Sequence, residues 1–249
     1  MTIFPGFDRI RIINLPSRPD RRAEMLRELR RIGLGDDPRV QFVDGILVED
    51  KAPWRAPGEK GVFLAQLGII AEAGAAGESV LILEDDVDFT PAAVSWGRRD
   101  DCDIAYGGYF PADPNDLQST DIIGAHCIGF SARAAQALAP FLSDLLNHES
   151  PPPIDGAYVW FRRQRDGFRT EFAEPVVAVQ RPSRSDITPA HRFDRIAVLK
   201  GPMVGLRRLK RFLQRGDLTF GLREAIILSL VAVSITIAVA YHYTASGRF

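Results

Sequence analysis

The sequence predicts an α/β domain with a mostly parallel sheet flanked by helices, followed by one C-terminal transmembrane helix. Strand-like apolar runs alternate with helix-like periodic segments along most of the chain, which is typical of a parallel sheet. A second observation is an uncharged apolar run close to the C-terminus. Apolar residues make up 46% of the 249 residues and the formal net charge is −1, which fits a globular body and argues against a nucleic-acid-binding protein.

The individual elements follow from composition and from helix-ending residues. Apolar, β-branched composition predicts strands at residues 9–15, 40–43, 79–83, 104–106 and 176–180. An N-cap at Ser17, apolar residues on one side and a glycine at the end predict a helix at residues 17–33. Residues 61–73 are apolar almost all round, which predicts a buried helix, and a further helix is predicted at residues 131–147. We expect the last helix to be interrupted near Pro140, because proline lacks the N–H that a helix interior requires.

The C-terminal apolar run predicts a membrane anchor. From Ala225 to Tyr241 the chain has no charged residue, and as a helix this run would span roughly 25 Å. We therefore expect a domain at residues 1–200, a basic juxtamembrane linker at 201–223, a transmembrane helix at 224–243 and a short tail at 244–249. Basic residues gather before the run, which predicts a single-pass membrane protein with its large domain on the cytoplasmic side. A buried core helix is the alternative interpretation.

A cluster of carboxylates directly follows the central strand. The segment VLILEDDVDF places Glu84, Asp85, Asp86 and Asp88 beyond apolar residues, and ligands of open α/β sheets bind at such strand ends. Because the carboxylates repel one another, a divalent metal such as Mn²⁺ or Mg²⁺ would stabilise them and could bridge to a diphosphate. Strand alternation turns Glu84 and Asp86 to one side, which makes them the expected metal ligands. A solvated acidic turn is the alternative.

A basic junction follows the first strand. It begins at Asn14 and carries Arg18, Arg21 and Arg22, at a position where a helix N-terminus would attract an anion. Guanidinium groups match phosphate oxygens, so this junction is a candidate diphosphate site. The chain lacks both a GxGxxG motif and a Walker motif, which argues against dinucleotide binding and P-loop hydrolysis. A solvated basic helix face is the alternative.

These motifs belong to a set of five segments that resembles glycosyltransferase family 25, whose bacterial members take part in lipopolysaccharide biosynthesis. The resemblance spans about residues 9–188, and it depends on the order and spacing of the segments. The segments are IINLPSRPDRRAEM, GVFLAQL before VLILEDDVDF, GAHCIGFSARAAQAL, PPPID and EPVVAVQRPSRSDI. The resemblance implies a GT-A-like catalytic domain at residues 1–200. It also implies inverting transfer of a hexose, such as galactose, from a nucleotide-sugar such as a UDP-hexose to a glycolipid or polysaccharide acceptor.

The resemblance assigns further site residues. It places the DxD-type metal motif on Glu84-Asp85-Asp86, with Asp85 and His126 near the donor. The Pro-x-Asp element falls on Asp155, which is our first candidate for the base that deprotonates the acceptor hydroxyl. His126 could instead be a structural histidine in an apolar stretch, and Asp155 could be a helix N-cap. The chain departs from the family where Ala65-Gln66 replaces the usual Ser-His pair.

Two other functional classes remain open on the sequence alone. A catalytically silent, membrane-tethered domain that binds nucleotide-sugars or partners is the main alternative, and the Ala65-Gln66 departure favours it. A membrane-anchored nucleotidyltransferase or phosphatase could also use carboxylates at strand ends, but the chain has no glycine-rich phosphate loop.

Overall fold

The structure is a computed structural model that describes residues 2–181. Within these residues the chain forms eight strands and four α-helices. The strands are β1 (Arg9–Asn14), β2 (Val40–Asp44), β3 (Val80–Glu84), β4 (Val87–Phe89), β5 (Ile104–Pro111), β6 (Ile122–Phe130), β7 (Thr170–Phe172) and β8 (Ala178–Gln180). The helices are α1 (Pro19–Arg31), α2 (Pro57–Ala76), α3 (Ala132–Leu145) and α4 (Ile154–Gln164).

Six of the described strands form one mixed sheet in the order β2-β1-β3-β6-β5-β7. The pairings of β1 with β2, of β1 with β3 and of β5 with β7 are parallel, whereas β6 runs antiparallel to both β3 and β5. The strands β4 and β8 form a separate antiparallel pair. This topology brings the carboxyl ends of β1, β2 and β3 to one edge of the sheet.

The sheet separates two apolar cores. Alternate residues of β3 face opposite sides, so that Ile82 packs in one core while Leu81 and Leu83 pack in the other. Helices α2, α3 and α4 supply the first core, and α1 packs on the second through Met25 and Leu29. Because both faces are covered, the central strands read as nearly continuous apolar runs.

The predicted fold class was wrong in its transmembrane part. Within residues 2–181, no helix has both the length and the apolar character needed to cross a bilayer. The longest of these helices, α2, has 20 residues, but it carries Glu59, Lys60 and Glu72 and buries its apolar side chains within the domain. The sheet and the helices described above support the rest of the prediction, an α/β fold with a mostly parallel sheet. The predicted segments 201–223, 224–243 and 244–249 lie outside the described residues.

The same finding overturns the predicted localisation. A single-pass membrane protein with a cytoplasmic catalytic domain required a spanning helix, and the described part of the chain contains none. The described helices give no support to the membrane as a partner either.

Local differences from the predicted elements have physical causes. Pro140 lies inside α3 without ending it, because the helix packs Leu138, Phe141 and Leu142 into the core around the proline. Ser131 caps this helix by accepting a hydrogen bond from the Ala134 backbone N–H at 3.0 Å. The strand predicted at 104–106 extends to Pro111, because β6 pairs with it along most of its length.

Candidate functional site

The acidic turn, Glu84-Asp85-Asp86, lies at the carboxyl end of β3, next to the parallel strand β1. Glu84 is the last residue of β3 and is paired in register with Ile13 on β1, and Asp85 and Asp86 follow in the turn before β4. Glu84 is half-buried, whereas Asp85 and Asp86 are each only 6% exposed. The sequence prediction that these carboxylates stand at a strand end therefore matches their position.

Asp85 is held by the junction after β1. The Asn14 side-chain amide donates to its Oδ2 at 2.7 Å, and the Arg21 guanidinium donates to its Oδ1 at 2.9 Å. Arg21 also lies 3.6 Å from Asp86 Oδ2. With both oxygens engaged by these side chains, Asp85 anchors α1 to the acidic turn.

Glu84 and Asp86 converge on another partner. The Gln180 side-chain amide lies 3.2 Å from Glu84 Oε2 and 3.5 Å from Asp86 Oδ2. Glu84 and Asp86 thus share the Gln180 amide as a neighbour, whereas Arg21 pairs with both Asp85 and Asp86. The predicted orientation of Glu84 and Asp86 toward one side stays a prediction. Their assignment as metal ligands remains a prediction.

The neighbouring residue Arg181 fixes the strand that carries Gln180. Its guanidinium donates to Asp88 Oδ1 at 3.0 and 2.8 Å and to Glu24 Oε2 at 2.6 Å, and its backbone N–H donates to the Asp86 carbonyl at 2.5 Å. Because Arg181 is only 5% exposed, these charge-assisted bonds are formed largely away from water. They hold β8 against β4 beside the acidic turn.

Burial and mutual repulsion disfavour ionisation at this turn. Burial raises the pKa of Glu84 to about 8, and the charges of Asp86, Asp85 and Asp155 add to this effect. Burial also raises the pKa of Asp86 to about 6, against the opposing charge of Arg21. A bound cation would relieve the repulsion between these groups.

A cavity of about 220 Å³ opens next to the acidic turn. It is bounded by the ends of β1 and β3, by the loop after β2 and by the N-terminus of α2. Apolar side chains supply one wall, and acidic and amide groups supply the other. The residues that line it include Ile46, Leu47, Val48, Pro57, Gly58, Gly61, Val62, Arg21, Glu84, Asp86 and Gln180.

Asp155 lies in the first turn of α4, whose N-cap is Pro153, so Asp155 is not itself the cap. Its Oδ2 accepts a hydrogen bond from the Gly124 N–H on β6, and its Oδ1 accepts one from Gly156, both at 2.8 Å. The charge of Asp155 contributes to the raised pKa of Glu84, which places the two carboxylates in one electrostatic neighbourhood.

His126 is nearly fully buried in β6, at 1% exposure. Its Nε2 lies 3.2 Å from the Ala178 carbonyl, which assigns the ring proton to Nε2. Burial lowers the pKa of His126 to about 4, so the ring is neutral near pH 7. His126 supports β8, which carries Gln180, and it does not line the cavity.

Arg21 lines the cavity, whereas Arg18 and Arg22 do not. The Arg18 guanidinium pairs with Asp20 at 2.9 and 3.0 Å, and the exposed Arg22 lies 4.1 Å above the Phe42 ring. Their predicted contact with a donor stays a prediction, but Arg21 is the junction arginine that this geometry favours.

The residues present fit a divalent ion only if a ligand shares it. Among residues 2–181, no group of three or more His, Cys, Asp or Glu side chains is arranged to hold a metal ion. A Mg²⁺ ion bound together with a diphosphate usually takes one or two protein carboxylates, and phosphate oxygens and waters complete its shell. Glu84 and Asp86 supply two such carboxylates at the cavity wall.

The sequence interpretation did not identify several residues of this site. Gln180 lies in one of the five segments but was given no role, and neither the apolar loop at 45–48 nor the start of α2 was assigned to the site. These segments come together only because the parallel ends of β1, β2 and β3 share one edge. The Pro-Gly pair at 57–58 is the single local cue, since proline in the first turn marks a helix N-terminus.

No protein-family model and no curated protein matches the chain. Among solved structures, the chain is similar to a glycosyltransferase involved in the glycosylation of the major capsid of PBCV-1, with 13% sequence identity and a TM-score of 0.47. The similarity covers 71% of this chain and 95% of that protein. It is a likeness to a glycosyltransferase, and it points neither to family 25 nor to lipopolysaccharide biosynthesis. An assignment of glycosyl transfer therefore rests on the chemistry of the site.

Proposed function

We propose that this protein is a glycosyltransferase that transfers a hexose from a nucleotide-sugar, with a UDP-hexose as the first candidate donor, to a hydroxyl of a glycan acceptor. The observation that carries the proposal is the convergence of Glu84 and Asp86 on one point at the wall of a cavity. That cavity combines an apolar side with a polar side, as a ligand that joins a flat base to a charged diphosphate requires.

The nucleoside would bind at the apolar wall. Ile46 and Leu47 are 42% and 73% exposed at the cavity, and Val62 faces them from α2. Exposed large apolar side chains at a concave surface favour a ligand with an apolar face. The close approach of this loop to α2 depends on Gly61, because a Cβ there would stand 2.1 Å from the Ile46 carbonyl oxygen.

The diphosphate would lie between the start of α2 and the acidic turn. Pro57 and Gly58 place the positive end of a 20-residue helix at the cavity, and Arg21 adds a guanidinium beside Asp86. Glu84 and Asp86 would hold a divalent metal, Mn²⁺ or Mg²⁺, against the phosphate oxygens. Such an ion would stabilise the negative charge of the departing diphosphate.

The proton of the acceptor hydroxyl would pass to Asp155. In an inverting transfer, the acceptor oxygen forms a bond to the anomeric carbon as the bond from that carbon to the diphosphate breaks, and Asp155 takes the hydroxyl proton. Hydrogen bonds from Gly124 and Gly156 orient the carboxylate and leave further lone pairs on each oxygen. Asp155 is our candidate base because it stands in the Pro-x-Asp element and its charge acts on Glu84 from α4.

The test is a screen of nucleotide-sugars for thermal stabilisation and for donor hydrolysis, with Mn²⁺, with Mg²⁺ and with a chelator. We expect one donor to stabilise the protein and to be hydrolysed only in the presence of a divalent metal. The double variant Glu84→Gln/Asp86→Asn should lose both responses, because each swap keeps the shape of the side chain and removes its charge. The exposed Asp100→Asn serves as a matched control and should behave like the wild type.

Metal-independent binding of the donor by the double variant would contradict the metal site. Donor binding without any turnover would favour a silent nucleotide-sugar-binding domain. If no nucleotide-sugar stabilises the wild-type protein under any of these conditions, the proposed function is wrong.

A further inference from the structure

Two large apolar side chains are exposed at the end of the β5–β6 ladder. Phe110 and Ile123 are 51% and 62% exposed and stand directly opposite each other in the antiparallel register. Single exposed apolar residues are ordinary, but a cross-strand pair forms a contiguous patch. Among the large exposed apolar residues in the described part of the chain, Phe110 is the aromatic one. We call this pair the Phe110–Ile123 platform.

The platform adjoins the candidate base through Gly124. This glycine follows Ile123 and donates its N–H to Asp155 Oδ2 at 2.8 Å. The Phe110 ring atom Cδ2 lies 3.4 Å from the place where a Cβ on Gly124 would stand. Gly124 has a φ of +81°, which side chains other than glycine rarely adopt, so the backbone is shaped here to bring the N–H to the carboxylate.

The other side of the platform leads back to the acidic turn. The Phe110 ring lies over His126, with 5.6 Å between the ring centroids, and His126 Nε2 bonds to the Ala178 carbonyl. Ala178 is on β8, the strand that also carries Gln180 between Glu84 and Asp86. The platform is therefore linked through packed groups to both Asp155 and the candidate metal ligands.

We propose that the Phe110–Ile123 platform binds the apolar face of the acceptor's sugar ring beside Asp155. This inference rests on the proposed function and adds the acceptor subsite to it. A pyranose presents C–H groups on one face and hydroxyls around its edge, and an aromatic face attracts C–H groups. A ring lying on Phe110 directs an edge hydroxyl toward Asp155, which is the group that would take its proton.

The size of the platform favours a sugar over a protein partner. Two half-exposed side chains offer on the order of 200 Å² of apolar surface. A stable protein interface needs about 800 Å² from each partner, so this patch is too small to serve as one. A single pyranose face matches it, and Asp155 supplies the polar neighbour that such a ligand requires.

The first experiment measures binding of methyl α- and β-pyranosides of galactose, glucose and mannose to the full chain by saturation-transfer NMR. We expect at least one of them to bind at millimolar concentration, and Phe110→Ala to weaken this binding about three- to tenfold. Phe110→Trp should keep it, because an aromatic face remains. Ile123→Ser provides a second test on the same patch. Val94→Ala, an exposed apolar residue that is 43% exposed elsewhere on the domain, is the matched control and should leave binding unchanged.

The second experiment separates the platform from the proposed function. With the donor found in the nucleotide-sugar screen, Phe110→Ala should raise the KM for the pyranoside acceptor, whereas the control Val94→Ala should leave both this KM and donor hydrolysis in the absence of acceptor unchanged. Pyranoside binding that is absent from the wild type, or equal in wild type and Phe110→Ala, would overturn the platform alone. Phe110-dependent pyranoside binding in a protein that uses no nucleotide-sugar would overturn the proposed function and, with it, the role of the platform as an acceptor subsite, while the platform itself would stand as a pyranose-binding surface.

Discussion

His126 is a buried polar residue whose ionisation works against folding. The folded environment lowers its pKa to about 4 because burial disfavours the imidazolium, whereas an unfolded chain gives a histidine a pKa of about 6.5. A Cβ on Gly108 would lie 2.4 Å from Nε2, so the ring fills its space and has no room for a counter-ion there. This environment favours a structural role for His126 over the contact with the donor that the sequence suggested.

The pH dependence of stability should report this burial. Between about pH 6.5 and pH 4 the unfolded chain binds a proton at His126 that the folded protein excludes. The free energy of unfolding should therefore fall as pH is lowered through this window, by up to about 3 kcal/mol from this residue. Urea unfolding of the wild type and of His126→Asn at several pH values measures the difference. An equally steep loss of stability in His126→Asn would assign the effect to other groups.

Among the elements, the contact between α2 and the loop after β2 shapes the cavity. Gly61 permits this contact, because its missing Cβ leaves room for the Ile46 carbonyl. Gly68, one and a half to two turns further along the same helix, is exposed and has no atom within 4 Å of an added Cβ. The two glycines thus occupy one helix in opposite environments.

Alanine at these two positions should change stability in opposite directions. Gly61→Ala should lower the free energy of unfolding by about 1–3 kcal/mol, because the loop must move, and it should also weaken donor binding. Gly68→Ala should raise the free energy by up to about 1 kcal/mol through helix propensity alone, with donor binding unchanged. Urea midpoints and donor titrations of both variants measure this. If Gly61→Ala were as stable as Gly68→Ala, the loop after β2 would be able to move away from α2 without lowering the free energy of unfolding.

At the scale of the whole molecule, the described residues 2–181 lie within one compact unit. Both apolar cores, and every site residue described above, lie within residues 2–181.

A chain truncated after Thr188 should fold cooperatively and retain donor binding. The measurements are urea unfolding followed by circular dichroism, and the same nucleotide-sugar titration as for the full chain. Loss of a cooperative transition would show that residues 189–249 supply part of the core. Normal folding without donor binding would place part of the donor site in those residues.

The sequence by itself predicted five of the eight described strands and the residues that stand at the end of β3, but it did not predict β4, β6 or β7. Apolar runs predicted β1, β2 and β3, and the parallel start of the sheet followed from the helix-like segments between them. Local signals also located the acidic turn and the junction at Asn14, because strand alternation and proline at a helix start act over a few residues. The terminal apolar run, by contrast, led to a membrane assignment that the described helices do not support.

The tertiary structure decided which of these residues meet. It placed Arg21 rather than Arg18 or Arg22 against the acidic turn and brought Gln180 to Glu84 and Asp86. It also paired Phe110 with Ile123 and bonded the next residue, Gly124, to Asp155. It also made β6 antiparallel within an otherwise mostly parallel sheet. None of these contacts has a local signature, because each joins residues that are distant in the chain and is set by strand order and register. Local sequence determines the elements through propensity and periodicity, while the packing of those elements around two cores determines the site.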